Sequence, residues 1–332
     1  MRRVSIALLA LVAVVAGCRD SATPTTTATT STTATPTTTS TTAVVLQPES
    51  DAIGTRTTGE LVFGSMERTY RLYVPSDLPS GPRPLFLALH GGFGWGDQFA
   101  QTDHIERLAE SNGFLVVHPD GVRITPDAPS AVWNGGMCCG PSARLAVDDV
   151  GFLDAVITEV SEGHDVDPQR VYAFGHSNGG IMSYRLACEL ADRIVGIGAV
   201  AGTLGIDDCT PAQPVSVIHV HGTADENLPL VGGVGPRSVA GVTFPPPRDG
   251  FATLASAAGC TDPADTVDGD LTLDVRTPCA AGAEAVFVTI AGANHAWPGG
   301  TPIVTPAFGP GYERYDATAE IVTFLLAHPR PT

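Results

Sequence analysis

Short apolar runs alternate with stretches of helical spacing along most of this chain, and turn-forming residues separate them. Residues 60–63 and 68–75 read as a leading antiparallel pair, the second strand placing Tyr70, Leu72 and Val74 on one face. The runs 84–89, 114–119, 170–174, 194–200, 215–220 and 285–290 are almost continuously apolar, as strands buried on both faces are. Helical spacing covers 103–112, 148–160, 181–190, 251–258 and 317–326. Strands in alternation with helices predict a mostly parallel central sheet with helices on both faces, in a single α/β domain without internal repeats.

The N-terminus follows another pattern. Arg2 and Arg3 precede a 13-residue apolar run, Val4 to Ala16, which is shorter than the ~20 residues of a membrane span. Residues 1–17 therefore read as a signal segment. Its end, Val15-Ala16-Gly17-Cys18, resembles the bacterial lipobox and implies acylation of Cys18. Ordinary secretory cleavage is the competing reading. Residues 21–42 are only Ser, Ala, Thr and Pro, so nothing there can build a core. The expected organisation is a signal peptide (1–17), a lipidated, unstructured stalk (18–56) and a catalytic domain (57–328).

Charge removes several functions. All 18 basic residues are Arg, against 35 Asp and Glu, for a net charge of −17. Without lysine there is no Schiff base, no phosphate-loop lysine and no Ser–Lys dyad. Nothing so acidic is suited to a phosphate backbone, so no nucleic-acid partner is expected. Membrane association is expected only through Cys18, and no protein partner is predicted.

The candidate chemistry centres on Gly175-His176-Ser177-Asn178-Gly179, followed by Gly180. A strand before it and a helix after it are the context of a nucleophile elbow, where flanking side chains would clash. A helix N-terminus behind Ser177 favours developing negative charge. A serine nucleophile needs a base and an orienting carboxylate. The loop after 215–220 carries Asp225 and Glu226, and the loop after 285–290 carries His295. Both leave C-terminal strand ends, where such sheets bind ligands. Of the nine histidines only His295 sits on a loop after the last strand; His328 falls in the terminal helix, His176 inside the elbow and His219 within a strand, and these three read as structural. Asp225 is preferred to Glu226 because its shorter side chain directly follows the turn. The glycine-rich turn after 84–89 offers the Gly92 N–H, and the elbow offers that of Asn178, as an oxyanion hole. His219, His221 and Asp225 carry zinc-ligating groups, but both histidines project to one side of a strand and His221 begins a turn, so they do not read as a zinc site. No metal and no cofactor is expected.

These residues resemble the esterase family of extracellular poly(3-hydroxybutyrate) depolymerases and feruloyl esterases, close to the family 1 carbohydrate esterases. The resemblance runs from about Glu67 to His295. It is carried by Arg68-Thr69-Tyr70-Arg71-Leu72-Tyr73-Val74-Pro75, Leu89-His90-Gly91-Gly92, His118-Pro119-Asp120-Gly121, Asp148-Asp149-Val150-Gly151-Phe152, the elbow, His221-Gly222-Thr223-Ala224-Asp225 and His295-Ala296-Trp297-Pro298-Gly299. It implies an α/β-hydrolase fold, with Ser177 as nucleophile, His295 as base, Asp225 as its partner, and oxyanion donors at Asn178 and at Gly92 or its neighbour. The substrate-binding domain that polymer depolymerases often append is not expected here.

Six cysteines follow Cys18, an even number in an exported chain, so three disulfides are expected. Cys260 and Cys279 stand together late in the chain and should pair. Cys138 and Cys139 should pair with Cys188 and Cys209 in either order, because a vicinal bridge is strained. Trp95, Trp133 and Trp297 all adjoin site motifs, as an apolar substrate pocket or as core. The expected function is a cell-surface lipoprotein serine esterase acting on small or polymeric esters. The alternatives are an acyltransferase using the same triad and a non-catalytic binding protein on a hydrolase scaffold.

Overall fold

Residues 44–261, 263–301 and 308–332 are described by the computed structural model of this protein. The expected signal segment, Cys18 and most of the stalk lie outside the described residues. In chain order the elements begin with β1 (Thr55–Phe63), β2 (Met66–Val74), β3 (Arg83–Leu89), α1 (Gly96–Asp103), α2 (Ile105–Asn112) and β4 (Leu115–Pro119). A small ribbon, β5 (Val122–Arg123) with β6 (Ala131–Val132), leads to α3 (Gly140–Arg144), α4 (Asp149–Gly163), β7 (Val166–His176) and α5 (Asn178–Glu189). The chain continues through β8 (Gly196–Val200), β9 (Ser216–Gly222), α6 (Pro247–Ala257) and the antiparallel pair β10 (Ala264–Asp268) and β11 (Leu271–Arg276). It closes with β12 (Ala285–Ile290) and α7 (Ala317–Ala327).

One sheet holds ten of these strands in the order β1-β2-β4-β3-β7-β8-β9-β12-β11-β10. The six central strands, β4 to β12, run parallel. Antiparallel strands flank them on each side. The side-chain alternation of β3 explains why both faces need helices. Leu85, Leu87 and Leu89 enter one core with residues of α4, α5 and α6. Phe86 and Ala88 enter the other, with Phe99 of α1, Leu108 of α2 and Ile321 of α7. All five β3 side chains are fully buried, and each large one contributes about 1.5–3 kcal/mol of apolar transfer free energy. This is the α/β-hydrolase architecture.

Three expectations shift. The helix at 103–112 is two helices, broken where His104 takes the left-handed conformation (φ 56°). The β10–β11 pair was not foreseen: β10 is exposed along its whole length, so it carries no burial pattern. The packed domain also begins ahead of Thr57, since the Gln47 N–H donates to Asn112 Oδ1 (2.8 Å) and the Ser50 N–H to the Arg107 carbonyl (3.3 Å). Among the described residues no helix is long and apolar enough to cross a membrane.

Candidate active site

Between the end of β7 and the start of α5 stands Ser177, with φ 52° and ψ −114°. A non-glycine residue held there costs on the order of 1–3 kcal/mol, which the surrounding contacts must offset. They are tight. Ser177 N–H donates to the Val200 carbonyl at 2.8 Å, and the Ser177 carbonyl accepts from Ile181 N–H at 2.9 Å. A Cβ on Gly175 or Gly179 would run into the Leu89 carbonyl, so only glycine lets the turn pack against the end of β3. The Ser177 side chain is left at the C-terminal edge of the parallel strands.

The loops after β9 and β12 bring Asp225 and His295 to that edge. His295 Nδ1 donates to Asp225 Oδ2 at 2.7 Å, and its Nε2 lies 2.9 Å from Ser177 Oγ. A carboxylate only accepts, so the neutral ring carries its proton on Nδ1 and presents a lone pair to the serine hydroxyl. Asp225 Oδ1 accepts from the N–H groups of Asn227 (2.8 Å) and Leu228 (2.9 Å). Burial alone would raise the Asp225 pKa, but His295 and these donors outweigh it and hold the group below the ordinary carboxylate range. Asp225 and His295 are both buried, while Ser177 keeps partial access. Glu226 points elsewhere: it is exposed and pairs with Arg237 at 2.6 Å.

Opposite the elbow, the turn after β3 is set by His90. Gly121 N–H donates to His90 Nε2 (2.9 Å), so the proton sits on Nδ1, which donates to the Gly91 carbonyl (2.7 Å). Burial pushes the His90 pKa down to about 4 and keeps this tautomer neutral. Gly94 N–H also donates to the Gly91 carbonyl (3.0 Å). With that carbonyl held twice, the trans peptide turns the Gly92 N–H the opposite way. Phe93 N–H, by contrast, is committed to the Ala131 carbonyl (2.9 Å). The Gly91–Gly92 backbone lies against the elbow: a Cβ on Gly91 would sit 3.2 Å from His176 Nδ1, and one on Gly92 3.6 Å from Asn178 Cβ. As the first residue of α5, Asn178 has an N–H with no intrahelical acceptor.

Several contributors had no readable signal in the sequence. The Asn178 side chain clamps the loop before α3, accepting from Trp133 N–H (2.7 Å) and donating to its carbonyl (3.1 Å). The Phe308 ring lies 5.4 Å from that of His295 and 5.8 Å from that of His176. Cys138, Ile181, Leu228 and Phe244 form a small apolar cluster that joins the segments following Ser177 and Asp225. His219 and His221, whose rings could in principle ligate a metal, commit all four ring nitrogens to Tyr184, each other and the Leu228 carbonyl.

Two expectations need correction. Trp133 and Trp297 are buried and cannot line a pocket. Trp133 Nε1 donates to the His90 carbonyl (3.0 Å), and Trp297 Nε1 donates to Thr318 Oγ1 (3.0 Å). They support the site from behind, and of the three only Trp95 retains partial exposure. The second concerns the cysteines. Cys260 pairs with Cys279 as expected, but Cys188 pairs with Cys209 and Cys138 with its neighbour Cys139. The end of α5 and the loop after β8 bring Cys188 and Cys209 to a Cα separation of 4.9 Å, within the range a disulfide spans, which leaves Cys138 and Cys139 to each other.

Comparisons with known proteins identify the family. The family model for esterase PHB depolymerase matches residues 68–241, more than half of the chain. A Nocardia uniformis subsp. tsuyamanensis protein that carries the name of an esterase, NocK, is 32% identical over 84% of this chain and 85% of its own. Feruloyl esterase B of Piromyces equi is 30% identical over 64% of this chain but only 39% of its own length. Among solved structures, an acetyl xylan esterase from Aspergillus awamori aligns with a TM-score of 0.51 at 14% identity, covering 75% of this chain and 96% of that one, a likeness of fold. The chain belongs to the esterase PHB depolymerase family and is an ester-hydrolysing serine hydrolase.

Proposed function

We propose that the protein is an exported, surface-anchored carboxylesterase that works through an acyl-enzyme on Ser177. The observation that carries this reading is the single imidazole of His295, 2.9 Å from Ser177 Oγ on one side and 2.7 Å from Asp225 Oδ2 on the other. Ser177 Oγ attacks the ester carbonyl while His295 Nε2 takes its proton. Asp225 stabilises the imidazolium, which then protonates the departing alcohol. The N–H groups of Asn178 and Gly92 receive the oxyanion of the tetrahedral intermediate. Water, deprotonated by His295, clears the acyl group by the same steps in reverse. The PHB depolymerase name of the family and the feruloyl esterase name of a relative favour an ester with an apolar or aromatic portion.

Labelling with a fluorophosphonate probe tests the nucleophile: wild type should label and Ser177→Ala should not. A panel of aryl, feruloyl and hydroxybutyrate esters then ranks substrates. Full esterase activity in purified, folded Ser177→Ala would overturn the mechanism. Anchoring is proposed from Val15-Ala16-Gly17-Cys18. Cys18→Ser should release the protein from the membrane fraction with its specific activity intact, and unchanged membrane association would refute it.

A further inference from the structure

Behind Asp225 runs a chain of fully buried polar groups that the triad does not include. Tyr184 of α5 meets His219 Nδ1 at 2.9 Å, His219 Nε2 meets His221 Nδ1 at 3.0 Å, and His221 Nε2 meets the Leu228 carbonyl at 2.9 Å. The same His221 nitrogen lies 3.5 Å from Asp225 Oδ2. The two imidazoles occupy successive same-face positions of β9 with nearly parallel planes and centroids 5.3 Å apart, and the Phe287 ring of β12 lies parallel to His219 at 4.4 Å.

The direction of the chain follows from its last member. A carbonyl only accepts, so His221 Nε2 must carry a hydrogen. Burial lowers the pKa of His221 and puts that of His219 well below the ordinary value, so both rings are neutral and each holds one proton. His221 Nδ1 is then an acceptor, His219 Nε2 its donor, His219 Nδ1 an acceptor, and the Tyr184 hydroxyl the donor that starts the series. The three hydrogen bonds point one way, toward the turn at Asp225–Leu228. That turn is held at its other end by the Asp225 carboxylate, which accepts from the Asn227 and Leu228 N–H groups.

We infer that His221 is a positioning residue for the triad. Its Nε2–H, oriented by the one-way chain from Tyr184, fixes the Leu228 carbonyl and so holds Asp225 Oδ2 in line with His295. Aligned donors also polarise one another, which places a positive N–H end beside the carboxylate. A neutral His221 leaves His295 as the only imidazole that becomes a cation against Asp225. The inference rests on the proposed Ser177–His295–Asp225 mechanism.

The test measures kcat and KM on an aryl ester for His221→Phe and His221→Gln, alone and combined with Asp225→Asn, with Ser177→Ala alongside. Phenylalanine keeps the ring volume and removes both nitrogens; the glutamine amide restores a donor toward Leu228. His221→Phe should lower kcat roughly 10- to 100-fold with little change in KM, and Gln should recover part of it. In the Asp225→Asn background the Phe substitution should cost almost nothing more, which a merely structural role would not produce. Equal losses in both backgrounds, or wild-type kcat in His221→Phe, would overturn the inference. Should His221→Phe not fold, Tyr184→Phe replaces it. Removing that hydroxyl should lower kcat several-fold only while Asp225 is intact, and wild-type kcat would again overturn the inference. An inactive Ser177→Ala beside an unaffected His221→Phe refutes the relay alone, whereas an active Ser177→Ala removes the triad and the relay with it.

Discussion

His176 Nε2 donates to the main-chain carbonyl of His295 at 2.6 Å, tying the residue before the nucleophile to the backbone of the base. Burial pushes the His176 pKa down to about 3, so the ring is neutral at any working pH and keeps this donor. The elbow and the loop after β12 are thereby joined twice, once through His176 and once through the Ser177–His295 contact.

His176→Phe should therefore reduce turnover without removing any reacting group. It leaves a buried carbonyl unpaired, at about 1–3 kcal/mol. Urea unfolding should show a loss of that order, and kcat should fall while fluorophosphonate labelling persists. Unchanged stability together with unchanged kcat would show the bond to be incidental.

The choice of carboxylate is open to direct comparison. Ser177→Ala or His295→Ala should each cost on the order of 10⁴- to 10⁶-fold in kcat, and the double variant hardly more, because the groups act as one unit. Asp225→Asn should be severely impaired, since an amide cannot hold the Nδ1 tautomer and stabilise the imidazolium together. Glu226→Gln should stay near wild type, because Glu226 is exposed and paired with Arg237. A crippled Glu226→Gln beside a normal Asp225→Asn would reverse the assignment.

The three disulfides should differ in weight. Cys188–Cys209 and Cys260–Cys279 close separations of 21 and 19 residues, each worth about 3 kcal/mol of unfolded-state entropy. Cys138–Cys139 closes no loop of any length. Replacing Cys188 and Cys209 together by Ser should lower the thermal midpoint clearly, and the Cys138/Cys139 double variant should lower it much less. Peptide mapping without reductant should recover the 188–209 and 260–279 cross-links, and any 138–188 or 139–209 peptide would refute the pairing.

What could be read in the sequence was what neighbouring residues determine. The run 84–89 is apolar on both strand faces, so a buried parallel strand was evident, and Gly175-His176-Ser177-Asn178-Gly179 carried its turn in its own glycines. Asp225 and His295 were legible because each follows a buried strand. The remainder depended on partners distant in the chain. His90 owes its tautomer to Gly121, Tyr184 reaches His219 from α5, and Phe308 arrives on a stretch with no periodic pattern. The vicinal bridge followed from where Cys188 and Cys209 meet, which spacing alone could not show.

Stability should also decline from mildly acidic toward alkaline pH, and Glu320 should account for part of the decline. Burial first, and Asp316 next, raise its pKa from 4.5 to about 7. The folded state thus binds this proton more tightly than the unfolded chain does. Its contribution is fully present below about pH 4.5, falls between there and about pH 7, and is lost above. The buried His118 acts in the same direction at higher pH. Burial lowers its pKa, but Asp103 at 3.1 Å outweighs that and raises it, so its contribution is present below the ordinary histidine value and lost as pH climbs through the raised one. Comparing variants separates the two groups. Glu320→Gln should leave stability near pH 4.5 almost unchanged and raise it at pH 8, by at most about 3 kcal/mol and less because the side chain is partly exposed. Urea midpoints of both proteins from pH 4.5 to 8.5 would measure this, and parallel curves would show that Glu320 ionises normally in the folded protein.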